Sequence, residues 1–443
     1  MRPHLILTFF AIILSCSSLI SQGNLLDSYV REAMDQSPYL KEQAIILEKS
    51  QVALKEAKGY YLPEVGFTGT YSLAAGGRSI SIPIGDLLNP VYSTLNQLTQ
   101  TNAFPQVENA EEQFLPNNFY DARIRTTMPL YNPDIRFQKN IRTQQVGLEE
   151  DALSIRKRDL ARDVQTAYFQ CLQASEIIGI YDNGLELLHE SYRLNEGLVR
   201  NGMAIPSTLI RIQGEISSVE AQKAQAVSQE ILARAYFNSL LGRPYETEVE
   251  ADPAFNALPA VETPGSVAQR EEFSQLETAE RIRDLMVHWE KAWRQPRVGM
   301  QLDLGSQNFG LDWGGYAILG VSVNVPIWDG ARHSRRLQEA ELDIQALQAR
   351  REWVTRQIDL QMIQASEALF AAITISKSYE PQLQSAERFY QETVRRFREN
   401  QANYIELLDA RTQLTNLELQ ASIARYQAWI GWAQFQRAAG LNL

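Results

Sequence analysis

Two hydrophobic periods take turns along this chain. Between Glu64 and Leu73 the apolar residues Val65, Phe67, Tyr71 and Leu73 share one face, and Glu64, Thr68, Thr70 and Ser72 share the other. In Tyr120–Leu130 the apolar face is Ala122, Ile124, Met128 and Leu130, opposed by Asp121, Arg123 and Arg125. In Arg297–Gly305, Val298, Met300, Leu302 and Leu304 oppose Gln301 and Asp303. In Ala317–Val325, Ala317, Leu319, Val321, Val323 and Val325 oppose Ser322 and Asn324. This period of two predicts strands near 63–73, 119–131, 296–305 and 315–327. Alternation over about 9–11 residues, with aromatics near the ends, fits strands with lipid on one side and water on the other. A soluble antiparallel sheet with one wet face alternates in the same way.

Elsewhere the period is helical. From Pro133 to Asn201 no internal proline occurs, and Leu153, Leu160, Val164, Ala167, Tyr168 and Cys171 recur at helical spacing. A helix of about 68 residues at 1.5 Å each is a rod of about 100 Å. The pattern returns from Arg332 to Tyr379, and Pro381 just beyond either opens a further helix or kinks a continuous one. Return helices are expected over Ser207–Leu241 and Asn403–Ala439, with turns at Gly202 and Asn400, residue types that tolerate left-handed backbone. Helices this long and polar are usually coiled coils, so a plain structural rod is one reading. The other rests on how they begin. Pro129 and Pro326 are expected to stop strand pairing, and Asn132-Pro133 and Gly330 to start the helices, so each rod continues directly from a strand.

The chain repeats itself. Pro129-Leu130-Tyr131-Asn132 aligns with Pro326-Ile327-Trp328-Asp329 at an offset of 197, and Phe237 and Gly242 with Phe435 and Gly440 at 198. Pro63-Glu64-Val65-Gly66 aligns with Pro296-Arg297-Val298-Gly299 at 233, so the first half carries about 36 extra residues between its strands. Each half reads helix, strand, loop, strand, long helix, turn, long helix. The expected organisation is a leader over 1–23, a first repeat over 24–243 (helical hairpin 133–243), a linker over 244–263 and a second repeat over 264–443 (helical hairpin 331–440). The segment 74–118 is expected as a long external loop, either a lid or a disordered surface loop.

Composition narrows the function. A net charge of −11 and a pI near 5.1 exclude nucleic acid as a natural partner. Arg2 and His4 before the apolar run Leu5–Leu14, then small residues to Gly23, form a secretory leader. Cys16 is an alternative lipidation site; only Cys171 remains besides it, so no internal disulfide framework is expected. No later run of about 18 apolar residues predicts a membrane helix. His189, His288 and His333 are scattered, and no metal, nucleophile-elbow or phosphate-loop motif occurs, so neither an enzyme nor a cofactor is expected. Four strands cannot close around a lumen, and a membrane barrel tolerates no open edge, so several copies would have to share one.

The stretches "LLDSYVREAMDQSPYLKEQAIILEKSQVALKEAKGYYLPEVGFTGTY", "VPIWDGARHSRRLQEAELDIQAL" and "ELLDARTQLTNLELQASIARYQAWIGWAQFQRAAG" resemble, in order, the opening helix and strand, the second strand-to-helix junction and the final helix of the TolC-like outer-membrane efflux protein family. The resemblance covers essentially the whole mature chain. It implies a mixed α and β fold, with a homotrimer forming a twelve-stranded β-barrel in outer-membrane lipid and a twelve-helix periplasmic α-barrel. It also implies a periplasmic adaptor and an inner-membrane transporter of the RND, ABC or MFS type as partners, in an efflux pump or type I secretion system. The hairpin tips at Gly202 and Asn400 would meet the adaptor. Glu406 and Asp409 match the acidic side chains that narrow the family's periplasmic mouth, and their spacing of three puts both on one helix face. Rings of carboxylates favour cations; an ordinary solvated face is the plainer reading of the pair. Where a well-known member latches its mouth with an Arg and an Asp, this chain has Ala402 and Thr208, so that latch is absent.

Overall fold

The computed structural model describes residues 25–115, 117–260, 270–399 and 401–441. The expected leader, Cys16, Asn400 and the end of the expected linker lie outside the described residues. The fold is mixed α and β, and the chain divides into two compact units.

One unit comprises Gln51–Gln144 and Ile282–Asp343. Its centre is a four-stranded antiparallel sheet of β1 (Glu64–Ser72), β4 (Phe119–Tyr131), β5 (Arg297–Phe309) and β6 (Gly315–Asn324), in the order β1-β4-β5-β6. β1 and β6 are its edges. β5 runs past the expected end at Gly305 because Ser306–Phe309 continue to pair with β4 after the apolar alternation has lapsed. Pro129 does not stop the strand, contrary to expectation. It still faces Gly299 of β5, and the strand bulges between Pro129 and Tyr131. β1 reaches no further than Thr127, so at Pro129 the strand has a partner on one side only.

The segment between β1 and β4 is a folded insertion rather than an irregular loop. It contains β2 (Ser79–Ile82), α3 (Ile84–Thr99) and β3 (Ala110–Gln113), with β2 and β3 paired antiparallel. The helices α1 (Leu25–Gln36) and α2 (Pro38–Gly59) precede β1.

The second unit comprises Met1–Ser50, Gln145–Arg281 and Ile344–Leu443. It takes in most of α4 (Pro133–Arg200) and α7 (Arg332–Arg398), all of the return helices α5 (Ser207–Leu241) and α8 (Tyr404–Ala439), and the start of α6 (Glu271–Lys291). α7 passes through Pro381 without a break. The largest core joins Leu26, Tyr29, Val164, Tyr168, Phe169, Phe237, Leu241, Phe255, Tyr426 and Ile430. Segment 244–260, expected as a linker, is fastened to this core. Tyr168 donates to the Glu250 carbonyl (3.0 Å) and Trp429 to that of Ala257 (2.8 Å), while Phe255 is buried. Cys171 is buried too, and burial pushes its thiol up to about 12.

α7 carries two apolar seams. Ile358, Leu369 and Ile373 are buried, whereas Trp353, Leu360, Ile363 and Phe370, spaced seven, three and seven apart, are exposed. By length and composition alone α7 is long and apolar enough to cross a membrane, although its sequence holds no unbroken apolar run.

Candidate functional site

The sheet sorts its side chains by polarity. Val65 and Phe67 of β1 stand opposite Thr126 and Ile124 of β4, which stand opposite Leu302 and Leu304 of β5, followed by Leu319 and Ala317 of β6. This largely apolar face is open: Phe67 is 74% exposed, Leu319 67% and Val321 65%. The other face carries a charged ladder. Arg125 grips Asp303 with both arms, Nε to Oδ1 at 2.9 Å and Nη2 to Oδ2 at 2.8 Å, and Gln301 donates to the same carboxylate at 2.9 Å. Arg123 reaches Asp121 at 3.1 Å, and the Tyr316 hydroxyl donates to Asp121 at 2.8 Å. Gly305 makes that last bond possible. A Cβ there would lie 3.0 Å from the Tyr316 ring and 2.7 Å from the Ala122 carbonyl oxygen. Charges of this density belong in water and would be costly against lipid, so the two faces suit different solvents.

Each strand-to-helix junction is built on an aspartate. At the first, Asp134 accepts from Trp289 Nε1 (2.8 Å) and Arg297 Nε (2.7 Å), which ties the start of α4 to α6 and β5. Burial alone would raise the Asp134 carboxyl, but the Arg297 and Trp289 hydrogen bonds outweigh it and hold it below its ordinary value. At the second, Pro326 follows the end of β6, and Gly330 and Ala331 both take positive φ, 73° and 62°, before α7 begins. Asp329 accepts from the His333 amide at 2.9 Å and meets its Nδ1 at 2.9 Å, while the imidazole stacks on Trp293 at 3.9 Å. The His333 hydrogen bond is the main cause that keeps the Asp329 carboxyl below its ordinary range. Sequence reasoning singled out the prolines and glycine here and missed these aspartates. An Asp at or just ahead of the first turn of a helical run was the available signal.

The hairpin tips lie in the other unit. Gly202 turns the first hairpin at φ 69°, and Met203 N donates back to the Leu198 carbonyl at 2.8 Å. At the equivalent place in the second hairpin, Gln401 N donates to the Arg396 carbonyl at 2.8 Å. The two closures lie at the same offset of 198. Leu188, Ile212, Ile216, Tyr404 and Leu408 pack the two hairpins together just behind the turns. Asn403 caps α8, accepting from the Glu406 amide at 2.9 Å. Glu406 lies 3.7 Å from Arg396, and Asp409 lies 3.9 Å from Arg211 of α5. Each carboxylate singled out from the sequence therefore has an arginine within this chain.

No family model matches the sequence, and no curated relative matches it. Solved structures do match its fold. The outer-membrane channel OprN has a TM-score of 0.74 at 20% identity, covering 94% of this chain and 90% of that one. VceC, an outer membrane protein of Vibrio cholerae, gives 0.72 at 16% identity over 94% and 96%. The open state of the Neisseria gonorrhoeae MtrE outer membrane channel gives 0.76 at 16% identity over 94% and 88%. Motif order and fold agree, and this chain has the fold of the TolC-like outer-membrane channels.

Proposed function

We propose that this chain is one protomer of a trimeric, passive exit duct in the outer membrane, serving a tripartite efflux pump or a type I secretion system. The observation that carries this reading is the sheet, with its exposed apolar face, its charged opposite face and its two unpaired edges. Such a sheet is stable in lipid only when closed, and three copies supply twelve strands. The exposed seam on α7 supports the same assembly, since apolar residues at that spacing pack against another helix. A periplasmic adaptor would meet the tips at Gly202 and Asn400, and an inner-membrane transporter would supply the energy. Glu406 and Asp409 would stand at the periplasmic mouth, each with an arginine, Arg396 or Arg211, within 4 Å.

Single-channel conductance of the purified protein in a planar bilayer tests this, with divalent cation added to each side in turn. Steady cation-selective pores, blocked from one side and relieved in the Glu406→Ala plus Asp409→Ala variant, are expected. Recovery of the folded chain in the soluble periplasmic fraction would refute the duct and favour the alternative, a periplasmic structural or adaptor coiled-coil protein without a channel.

A further inference from the structure

The four helices that adjoin the strands are fastened side by side in the order of the strands themselves. In the helical unit, Gln43 of α2 donates to Glu149 of α4 at 2.7 Å, and Arg156 of α4 lies over the Tyr39 ring of α2 at 4.4 Å. Arg158 of α4 bonds Glu271 of α6 at 2.8 Å, and Gln275 of α6 donates to the Leu148 carbonyl at 3.4 Å. Arg351 of α7 bonds Glu280 of α6 at 2.7 Å. The lateral order is therefore α2-α4-α6-α7, with α2 and α7 at its two ends. Both end helices carry apolar residues turned away from the chain's own packing. On α2, Leu40 and Gln43 are buried, whereas Ile45 and Val52, seven apart, are 64% and 55% exposed. At about 100° per residue, Ile45 lies on the side opposite the buried pair. On α7, Ile358 and Leu369 are buried, and Ala346, Ala349, Trp353, Leu360, Ile363 and Phe370 form an exposed stripe at heptad spacing on the other side.

Chain order says which element covers each stripe. α2 runs into β1 and α7 runs out of β6, and β1 and β6 are the two edges of the sheet. Within one chain α4 and α6 stand between α2 and α7, which puts those two helices three spacings apart, about 25 Å. A closed barrel pairs β1 of one copy with β6 of the next, and that pairing brings α2 of the first beside α7 of the second, running antiparallel. A ring of three copies joins unlike edges, so α7 does not meet α7. The register follows from the helix lengths. Ile45 is 14 residues before Gly59, the last of α2, and Ala346 is 14 residues after Arg332, the first of α7. Ala346 and Ala349 are small enough to seat a branched side chain from a facing helix, and Ile45 supplies one.

Building on the trimer reading, we propose that α7 of each copy packs antiparallel against α2 of the next, with Ile45 seated on the Ala346–Trp353 stretch of the stripe. The test uses the full chain in outer membranes, with Cys171→Ser and with Ile45→Cys paired in turn with Ala346→Cys, Ala349→Cys and Trp353→Cys. Each is treated with a short thiol-to-thiol cross-linker. Covalent dimers and trimers from at least one pair, absent from every single-cysteine variant, are expected. Native trimers without cross-linked species from any pair overturn the seam and leave the duct reading standing. Cross-linking through a lone α7 cysteine would mean that α7 meets α7, and it overturns the seam as well. Chains of monomeric native mass overturn both readings. As a second readout, Ile45→Asp, at a position outside the chain's own core, should lower the temperature at which trimers dissociate in detergent; an unchanged temperature counts against the seam.

Discussion

Replacing Glu272 with Gln offers a quantitative test of how the helical unit is held. Glu272 accepts from Arg270 (2.7 and 3.1 Å) and from Arg437 (2.8 Å), and Arg437 also bonds Asp159 at 2.7 Å. The cluster joins the start of α6 to α4 and to the last turn of α8. Arg270 and Arg437 are only 5% and 11% exposed along their side chains. Burial alone would raise the Glu272 carboxyl, but the two arginines outweigh it and hold it at about 2, against 4.5 when free. A depressed carboxyl stabilises the fold above its unfolded value and loses that contribution as pH falls through its folded value. The difference corresponds to about 3 kcal/mol, present above roughly pH 4.5 and lost toward pH 2. Glu272→Gln should therefore cost about 3 kcal/mol at neutral pH, because two nearly buried guanidiniums lose a carboxylate. It should also flatten the pH dependence in that window. Chemical unfolding of the detergent-solubilised protein, followed by helical circular dichroism across pH, reads both quantities. A variant as stable as the parent, or one with the parent's acid slope, would refute the reasoning.

Three further changes have defined outcomes. Ala331 holds a left-handed backbone that costs a non-glycine residue about 1–2 kcal/mol, so Ala331→Gly should stabilise the second junction by up to about 1 kcal/mol in the same unfolding assay. Gly305→Ala should displace the Tyr316 ring from Asp121, read as loss of heat-resistant oligomer on gels. Cys171, with its thiol pushed up to about 12, should resist alkylation at roughly pH 8 in the folded protein and react once it is unfolded.

The strands were legible because a sheet with one apolar and one polar face must alternate, as Val298 to Leu304 do without interruption. The same closures recur in the two halves: Arg243 N bonds the Asn238 carbonyl, and Leu441 N that of Gln436, at the offset of 198 that relates Gly242 to Gly440 in the sequence. The insertion was not legible. Its helix is held by Asn89, Asn96 and Asn109, residue types that usually signal loops, and its apolar positions face outward rather than into a core. The arginines facing Glu406 and Asp409 were missed for a different reason. Arg211 lies in the other hairpin, and no local spacing connects it to Asp409.

The same insertion has a consequence for how such a protein can change over time. Between β5 and β6 the second half of the chain needs only residues 310–314, so the sheet itself does not require anything longer. Residues 73–118 fill the corresponding place in the first half, anchored at their base by Tyr71 to Asn118 (2.6 Å) and Ala74 to Asn117 (3.1 Å). The insertion is an exchangeable faceplate: its surface can be rewritten by selection while the sheet beneath keeps its pairing.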